Sequence, residues 1–253
     1  MIDICVPVYN EGGNIKKLLE ALEREVKSDF RLLIIYDSEK DDTLPVLNEI
    51  KGQYPYEIEL IKNHYGRGAA YAVRTGIECV KSDFWVLMMA DLSDDPATVD
   101  QMYRKMQQGY DMVAGSRYMR GGKKHGGPLL QSFLSRAAGL GMYFLLGFPA
   151  HDLSNAFKMY RTSALRRIPL ESADGFEVCV ELVIKTWLAG YQEGEVPTEW
   201  HDRTAGESNF KMWQWIPKYL HWCFYALRYR VTRKKPPYHR EFEEKQETAV
   251  HIA

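Results

Sequence analysis

The sequence has no CxxC pair. Its four cysteines, Cys5, Cys79, Cys179 and Cys223, lie far apart, which excludes a zinc ribbon and a dithiol redox motif and leaves buried thiols as the plain reading. Net charge is also lacking: 33 basic against 34 acidic residues leave -1, so no global field draws the chain to nucleic acid. There is no GxxxxGK phosphate loop, and the nearest glycine turn, Gly66-Arg67-Gly68, lacks the third glycine of a dinucleotide fingerprint. No basic leader with an apolar segment precedes Ile2–Val8, so a cytoplasmic catalytic body is expected. Long apolar runs are missing too. The longest uncharged stretch, Ala137 to Ala150, is broken by Gly139, Gly141, Gly147 and Pro149 and falls short of the ~20 residues of a spanning helix. No transmembrane helix is expected.

What is present is a chain of 253 residues, 45% hydrophobic and 26% charged, enough for one large α/β domain. Short apolar runs alternate with helix-patterned segments, as parallel strands do with crossover helices. Strands are expected at Ile2–Val8, Arg31–Tyr36, Ile58–Ile61, Phe84–Met89 and Asp111–Ala114, and helices near Asn14–Lys27, Thr43–Gln53, Gly68–Val80 and Ala97–Gln108. Ile15, Leu18, Leu19, Leu22 and Val26 follow helical spacing, which lays one face of the first helix on the sheet. The second half reads as a basic glycine-rich loop, Tyr118–Gly127, open to a lid role. A helix follows at Leu129–Leu146, then an extended Ser154–Tyr160, a helix at Val178–Ala189 and a strand at Gln192–Val196.

Ligands of open α/β sheets sit beyond the carboxyl ends of the strands, so the turns there hold the candidate site. Asp91, Ser93, Asp94 and Asp95 gather oxygen donors suited to Mg²⁺ or Mn²⁺. Ser93 or Asp94 serves equally well as a cap for a helix starting near Pro96. Asp37 ends a strand, where a carboxylate either caps a helix or accepts hydrogen bonds from a base or ribose. Arg117, Arg136 and Arg203 stand beside glycine, serine or threonine in loops or helix starts, where a guanidinium forks onto phosphate or simply faces solvent. Trp200–Phe210 mixes an aromatic, charges and a glycine, as a mobile element over a ligand would. In Met212–Leu227 aromatics occupy nearly every face and Arg228, Arg230, Arg233, Lys234 and Lys235 follow. That segment suits a membrane surface or a core or dimer contact.

Taken in order, these motifs resemble the inverting family 2 glycosyltransferases of GT-A fold, in the branch of the dolichyl-phosphate or polyprenyl-phosphate mannosyltransferases. The carriers are Val6-Pro7-Val8-Tyr9-Asn10-Glu11, Asp37 to Thr43, Gly66-Arg67-Gly68-Ala69, Ala90 to Pro96, Gly115 to Tyr118, Asp152 to Tyr160, Gly175-Phe176-Glu177 and Trp200 to Phe210. The resemblance implies an α/β fold with a GT-A (Rossmann-like) mixed sheet flanked by helices. It divides the chain into a transferase domain (1–210), an aromatic and basic membrane-surface helix (211–235) and a loose tail (236–253).

It further implies that Pro7, Tyr9, Glu11, Asp37, Gly66, Arg67 and Ser208 hold the nucleotide sugar. Asp91, with Ser93 and Asp94, would hold Mg²⁺ or Mn²⁺; Arg117 and Arg136 would face the acceptor phosphate; Asp91, Arg117 and Arg203 would be catalytic. The expected partners are a donor such as GDP-mannose or UDP-glucose, a polyprenyl phosphate, the cytoplasmic face of a membrane, and an integral membrane partner or a second copy; nucleic acid is not among them. Two departures stand. Met89 replaces the leading aspartate of the family's DxD motif, and a thioether is no Mg²⁺ ligand; Ser93 replaces what is often another ligand. Two alternatives therefore remain open. One is a transferase acting on a soluble or glycan hydroxyl, with His151 or Asp152 as base; the other is a nucleotide-binding homologue without turnover.

Overall fold

Along the first strand Ile2, Ile4, Val6 and Val8 alternate with Asp3, Cys5 and Pro7, and both sets are almost wholly enclosed, as in a sheet covered on both faces. The computed structural model describes residues 1–173, 175–202 and 212–241, with Met212 and Trp213 described in backbone only. In chain order the elements are β1 (Ile2–Val8), α1 (Ile15–Glu25), β2 (Phe30–Tyr36), α2 (Thr43–Ile50), β3 (Ile58–Lys62), α3 (Ala69–Cys79), β4 (Phe84–Leu87) and α4 (Thr98–Met106). There follow β5 (Met112–Ser116), β6 (Lys123–His125), α5 (Leu129–Leu146), β7 (Lys158–Arg161), α6 (Thr162–Leu165), α7 (Glu177–Leu188), β8 (Glu193–Pro197), β9 (Glu199–His201) and α8 (Met212–Thr232).

Seven strands form one sheet in the order β3-β2-β1-β4-β7-β5-β8. All pairings are parallel except those of β7, which runs antiparallel between β4 and β5. The mixed sheet expected of the fold is present. One face is covered by α1, α2 and α4 through Ile4, Val6, Leu18, Leu22, Leu47 and Val99, and the other by α3 and α7 through Cys5, Leu33, Val73, Trp85, Val180 and Ile184. At the amino ends of the strands Arg31 donates two hydrogen bonds to buried Asp3 (3.1 and 2.7 Å), and the Ser82 hydroxyl adds a third.

Three departures from the sequence reading concern the second half. The basic loop at 118–127 contains β6, which pairs in parallel with β9 as a separate two-stranded ribbon. The ribbon draws the start of the Trp200 segment out of its expected loop. Residues 236–241 are packed down: His239 is buried, and the Arg240 amide bonds the Ala189 carbonyl at the end of α7 (3.1 Å). Finally, α5 has the bounds expected of it but meets the length and composition of a spanning helix, which was not expected. Its 18 residues carry only Arg136 as charge, are apolar and long enough to cross a membrane by length and composition, and are 11% buried. Gly147, left-handed at φ 71°, closes it, and the Phe148 amide bonds back to the Met142 carbonyl (3.1 Å).

Candidate functional site

Three turns meet at the carboxyl ends of β1, β2 and β3. Asp41 accepts the Thr43 amide at the start of α2 (2.9 Å) and reaches across to the Asn10 amide (3.2 Å), while Thr43 Oγ1 accepts the Glu11 amide (2.9 Å). The turn after β1 is thereby pinned to the turn after β2, with Asn10 at φ 56° and Tyr9 projecting into solvent. Asp37 is not a helix cap. Its carboxylate accepts from the Asn63 side chain (2.8 Å) and the Gly68 amide (2.9 Å), fixing the Gly66-Arg67-Gly68 turn. Gly66 and Gly68 sit at φ 145° and 117°, where a side chain would be strained. Pro7 near the end of β1 and Tyr9, Glu11, Asp37, Gly66 and Arg67 in the turns that follow β1, β2 and β3 thus lie at neighbouring strand ends, with Arg67 exposed.

Beyond β4 the chain turns sharply through Leu92 (φ 61°). Capping at the start of α4 falls to Asp95, which accepts from the Ala97 amide and the Thr98 hydroxyl (3.1 and 3.2 Å). Asp91 and Asp94 are released from that duty. Asp91 is buried and accepts the Ser93 amide (3.1 Å); Asp94, also buried, accepts the amide of Met89 (3.1 Å). Burial pushes the Asp94 carboxyl up to about 7, the Met89 amide opposes that, and the Asp91 charge adds to it. Arg117 and Lys158 offset part of the cost of a buried Asp94 charge, and a bound cation would offset more. Asp91, Ser93 and Asp94 bring into one turn the oxygen donors a hard divalent ion takes, and Met89 contributes there a backbone amide.

Arg117 lies within electrostatic reach of Asp94, and its guanidinium is held on two sides. It forks onto buried Asp152 (Nε–Oδ2 2.7 Å, Nη2–Oδ1 2.9 Å) and contacts Ser154 and Ser135 Oγ (3.0 and 3.4 Å). Burial would raise Asp152, but the Arg117 charge and hydrogen bonds hold it below its ordinary 3.8. A carboxylate so acidic and so engaged is a weak general base, which disfavours Asp152 for the hydroxyl-acceptor alternative. His151 pairs through Nδ1 with Glu195 and stacks on Tyr143 at 4.1 Å between ring centroids.

Lys124 was not singled out as a site residue in the sequence, yet it joins this cluster. Its ammonium donates to Ser132 on α5, lies 5.0 Å from the centre of the Trp200 ring, and is shifted down by burial and by Arg117. Its signal was the basic, glycine-rich loop, but only the β6–β9 ribbon turns Lys124 inward. Arg136 is exposed on α5, one residue on from Ser135 and so about 100° around the helix from it. Arg203 and Ser208 lie outside the described residues.

The model of the family described as "Glycosyl transferase family 2" matches residues 3–169. The chain belongs to glycosyl transferase family 2. Among curated relatives, a dolichol-phosphate mannosyltransferase of Pyrococcus furiosus is 26% identical over 216 residues, covering 83% of this chain and 59% of that protein. This chain thus spans little more than half of that relative. A polyprenol monophosphomannose synthase of Mycolicibacterium smegmatis is 27% identical over 233 residues, 84% of this chain and 85% of the relative. Among solved structures, glucosyl-3-phosphoglycerate synthase of Mycobacterium tuberculosis with Mn²⁺, UDP and glucosyl-3-phosphoglycerate superposes with a TM-score of 0.65 at 16% identity, over 91% of this chain and 79% of that one. Its complex with Mn²⁺, UDP and phosphoglyceric acid gives 0.68 at 14%, over 89% and 78%. These last likenesses bear on the fold alone, which is the GT-A fold expected for this family 2 member.

Proposed function

We propose that this family 2 protein transfers a hexose from a nucleotide sugar to a polyprenyl phosphate, with inversion, at a membrane surface. The observation that carries this reading is where the site's cations lie relative to α5. Arg117 and Lys124 are tied to Ser135 and Ser132 on its inner side, while Leu130, Phe133 and Leu134 on the same stretch are exposed. A ligand with a phosphate head and an apolar tail is the chemistry that matches two cations one helix away from an open apolar surface. The names of the two relatives support the same acceptor class and favour mannose as the sugar.

In this reading the turns at Pro7–Glu11, Asp37 and Gly66–Gly68 hold the nucleoside. Asp91, Ser93 and Asp94 would hold Mg²⁺ or Mn²⁺, which when bound offsets the charge on the leaving diphosphate. Arg117 and Lys124 hold an acceptor phosphate oxygen in line with the anomeric carbon, with Arg136 at the exposed rim. That oxygen forms the new bond to carbon, and the bond to the diphosphate breaks with its electron pair leaving on the nucleoside diphosphate. No protein base is required, because the phosphate is already anionic. Arg203 and Ser208 are assigned to the donor diphosphate, and residues 211–235 to the membrane-surface helix.

The surface assignment rests on two helices. On α8, Leu220, Phe224, Leu227 and Val231 form an exposed stripe at helical spacing, while Trp222 and Ala226 face inward; Arg228, Arg230, Arg233, Lys234 and Lys235 lie exposed alongside. On α5, Gly139 and Met142 are buried against the domain, and a Cβ at Gly139 would come within 2.2 Å of the His151 carbonyl. A helix packed this closely along one side suits lying in the interface rather than crossing it. The test is a panel of nucleotide sugars, led by GDP-mannose and UDP-glucose, with and without polyprenyl phosphate and with Mg²⁺, Mn²⁺ or chelator. Lipid-dependent release of one nucleoside diphosphate is expected, abolished in folded Asp91→Ala and Arg203→Ala; wild-type rates in either variant contradict the site.

A further inference from the structure

On the two-stranded ribbon, Glu199 and His201 alternate with Trp200, so their side chains share a face, and His125 stands opposite His201 in register. Lys124 and Trp200 occupy the other face, toward Arg117. The imidazoles of His125 and His201 are stacked, 4.5 Å between centroids and 9° between planes. Their Nε2 atoms both look toward Glu199 Oε2, at 3.5 and 3.9 Å. The three ligand atoms lie within 4.8 Å of one another. Ligand atoms around one tetrahedral zinc, each at ~2.0–2.1 Å from the metal, are about 3.3–3.5 Å apart, so the set closes when the two exposed imidazoles unstack and turn their Nε2 atoms toward half-buried Glu199. Lys123 grips the other oxygen, Glu199 Oε1 (2.5 Å), as an outer partner that orients a ligating carboxylate.

We propose that His125, Glu199 and His201 form a second divalent-cation site, selective for zinc-class rather than magnesium-class ions, that clamps β6 to β9. Two imidazoles and one carboxylate are a borderline donor set, unlike the all-oxygen set of Asp91, Ser93 and Asp94. The clamp bears on the candidate active site through the backbone. The His201 amide donates to the Ser93 carbonyl (3.0 Å) and Trp200 forms a bridge with Asp94, so the strand fastened on its outer face is the one that flanks the acidic turn. A two-stranded ribbon is marginal on its own, and a shared cation adds a second cross-strand tie beside the Lys123–Glu199 pair.

The experiment is calorimetric titration of the metal-stripped full chain with ZnCl₂ in excess MgCl₂, followed by Co²⁺ absorption as a report on ligand type. One saturable Zn²⁺ equivalent is expected in the wild type and in Asp91→Asn. His125→Ala and His201→Ala should each weaken it by at least about tenfold, as loss of an inner ligand does. Circular dichroism checks that both variants remain folded, which their exposure favours. Zn²⁺ should raise the melting temperature of the wild type but of neither histidine variant. Visible Co²⁺ bands without a near-ultraviolet thiolate band support imidazole and carboxylate ligation. Absence of saturable Zn²⁺ binding, wild-type affinity in either histidine variant, or a thiolate band pointing to the cysteines would overturn the proposal.

Discussion

Helices α5 and α7 invert the usual relation between polarity and burial. The charged one is inside: ten of the twelve residues of α7 are buried, among them Glu177, Glu181 and Lys185. Lys185 is enclosed with Glu181 at 2.7 Å and also donates to the Pro169 carbonyl (2.6 Å). The nearly uncharged one is outside: of eighteen residues in α5 only Gly139 and Met142 are buried, while Leu129, Phe133, Phe144 and Leu145 are exposed. Buried charges persist where they are paired. Apolar surface left in the open marks a surface meant for something other than water. The comparison teaches that α7 holds the domain together, whereas the apolar side of α5 is left open for the membrane role proposed above.

The largest expected effect lies under the inner side of α5. Asp152→Asn strips the buried Arg117 guanidinium of its counter-charge, a loss of about 3–5 kcal/mol for a broken buried pair, read by denaturant unfolding at neutral pH. The pH dependence has a definite sign. The folded carboxyl titrates below its ordinary 3.8, so its stabilisation is present above that value and is lost as pH falls through the folded value. The acid limb of wild-type stability should flatten in Asp152→Asn.

Next comes Leu182→Ala in the middle of α7, expected to cost about 2–5 kcal/mol because it opens a cavity in a packed core. The matching change on α5, Leu145→Ser, should shift stability by no more than about 0.5 kcal/mol, as at an exposed site. Equal losses in the two helices would break the comparison. Between those limits lies membrane association. Lys234→Gln with Lys235→Gln removes about 2 kcal/mol of attraction to anionic vesicles, roughly 30-fold in partitioning, measured by flotation. Leu145→Ser with Phe133→Ser should weaken flotation on neutral vesicles as well, since it removes apolar contact rather than charge.

Much of the fold was legible. The alternation in Ile2–Val8 and the limits of Leu129–Leu146 match the elements found, because local period and flanking proline and glycine decide them. The acidic turn was also legible as a cluster. Which aspartate caps was not, since Asp94 and Asp95 are equivalent in composition and differ only in which amides the folded turn presents. Strand β7 reads as extended, but its antiparallel insertion between β4 and β5 depends on partners far along the chain. Lys123–His125 carries no apolar pattern at all, so the ribbon, and with it the inward turn of Lys124, was hidden. The exposure of α5 was equally hidden, because an apolar sequence cannot say whether protein or lipid will cover it.

The most direct test of the account is acceptor dependence at one donor. Release of nucleoside diphosphate is followed with polyprenyl phosphate, with the same polyprenol lacking its phosphate, and with inorganic phosphate in place of the lipid. The account predicts turnover only when head and tail are joined, because Arg117 and Lys124 hold the one beneath α5 while its exposed side receives the other. Equal turnover on a water-soluble acceptor, with no gain from the lipid, would contradict it.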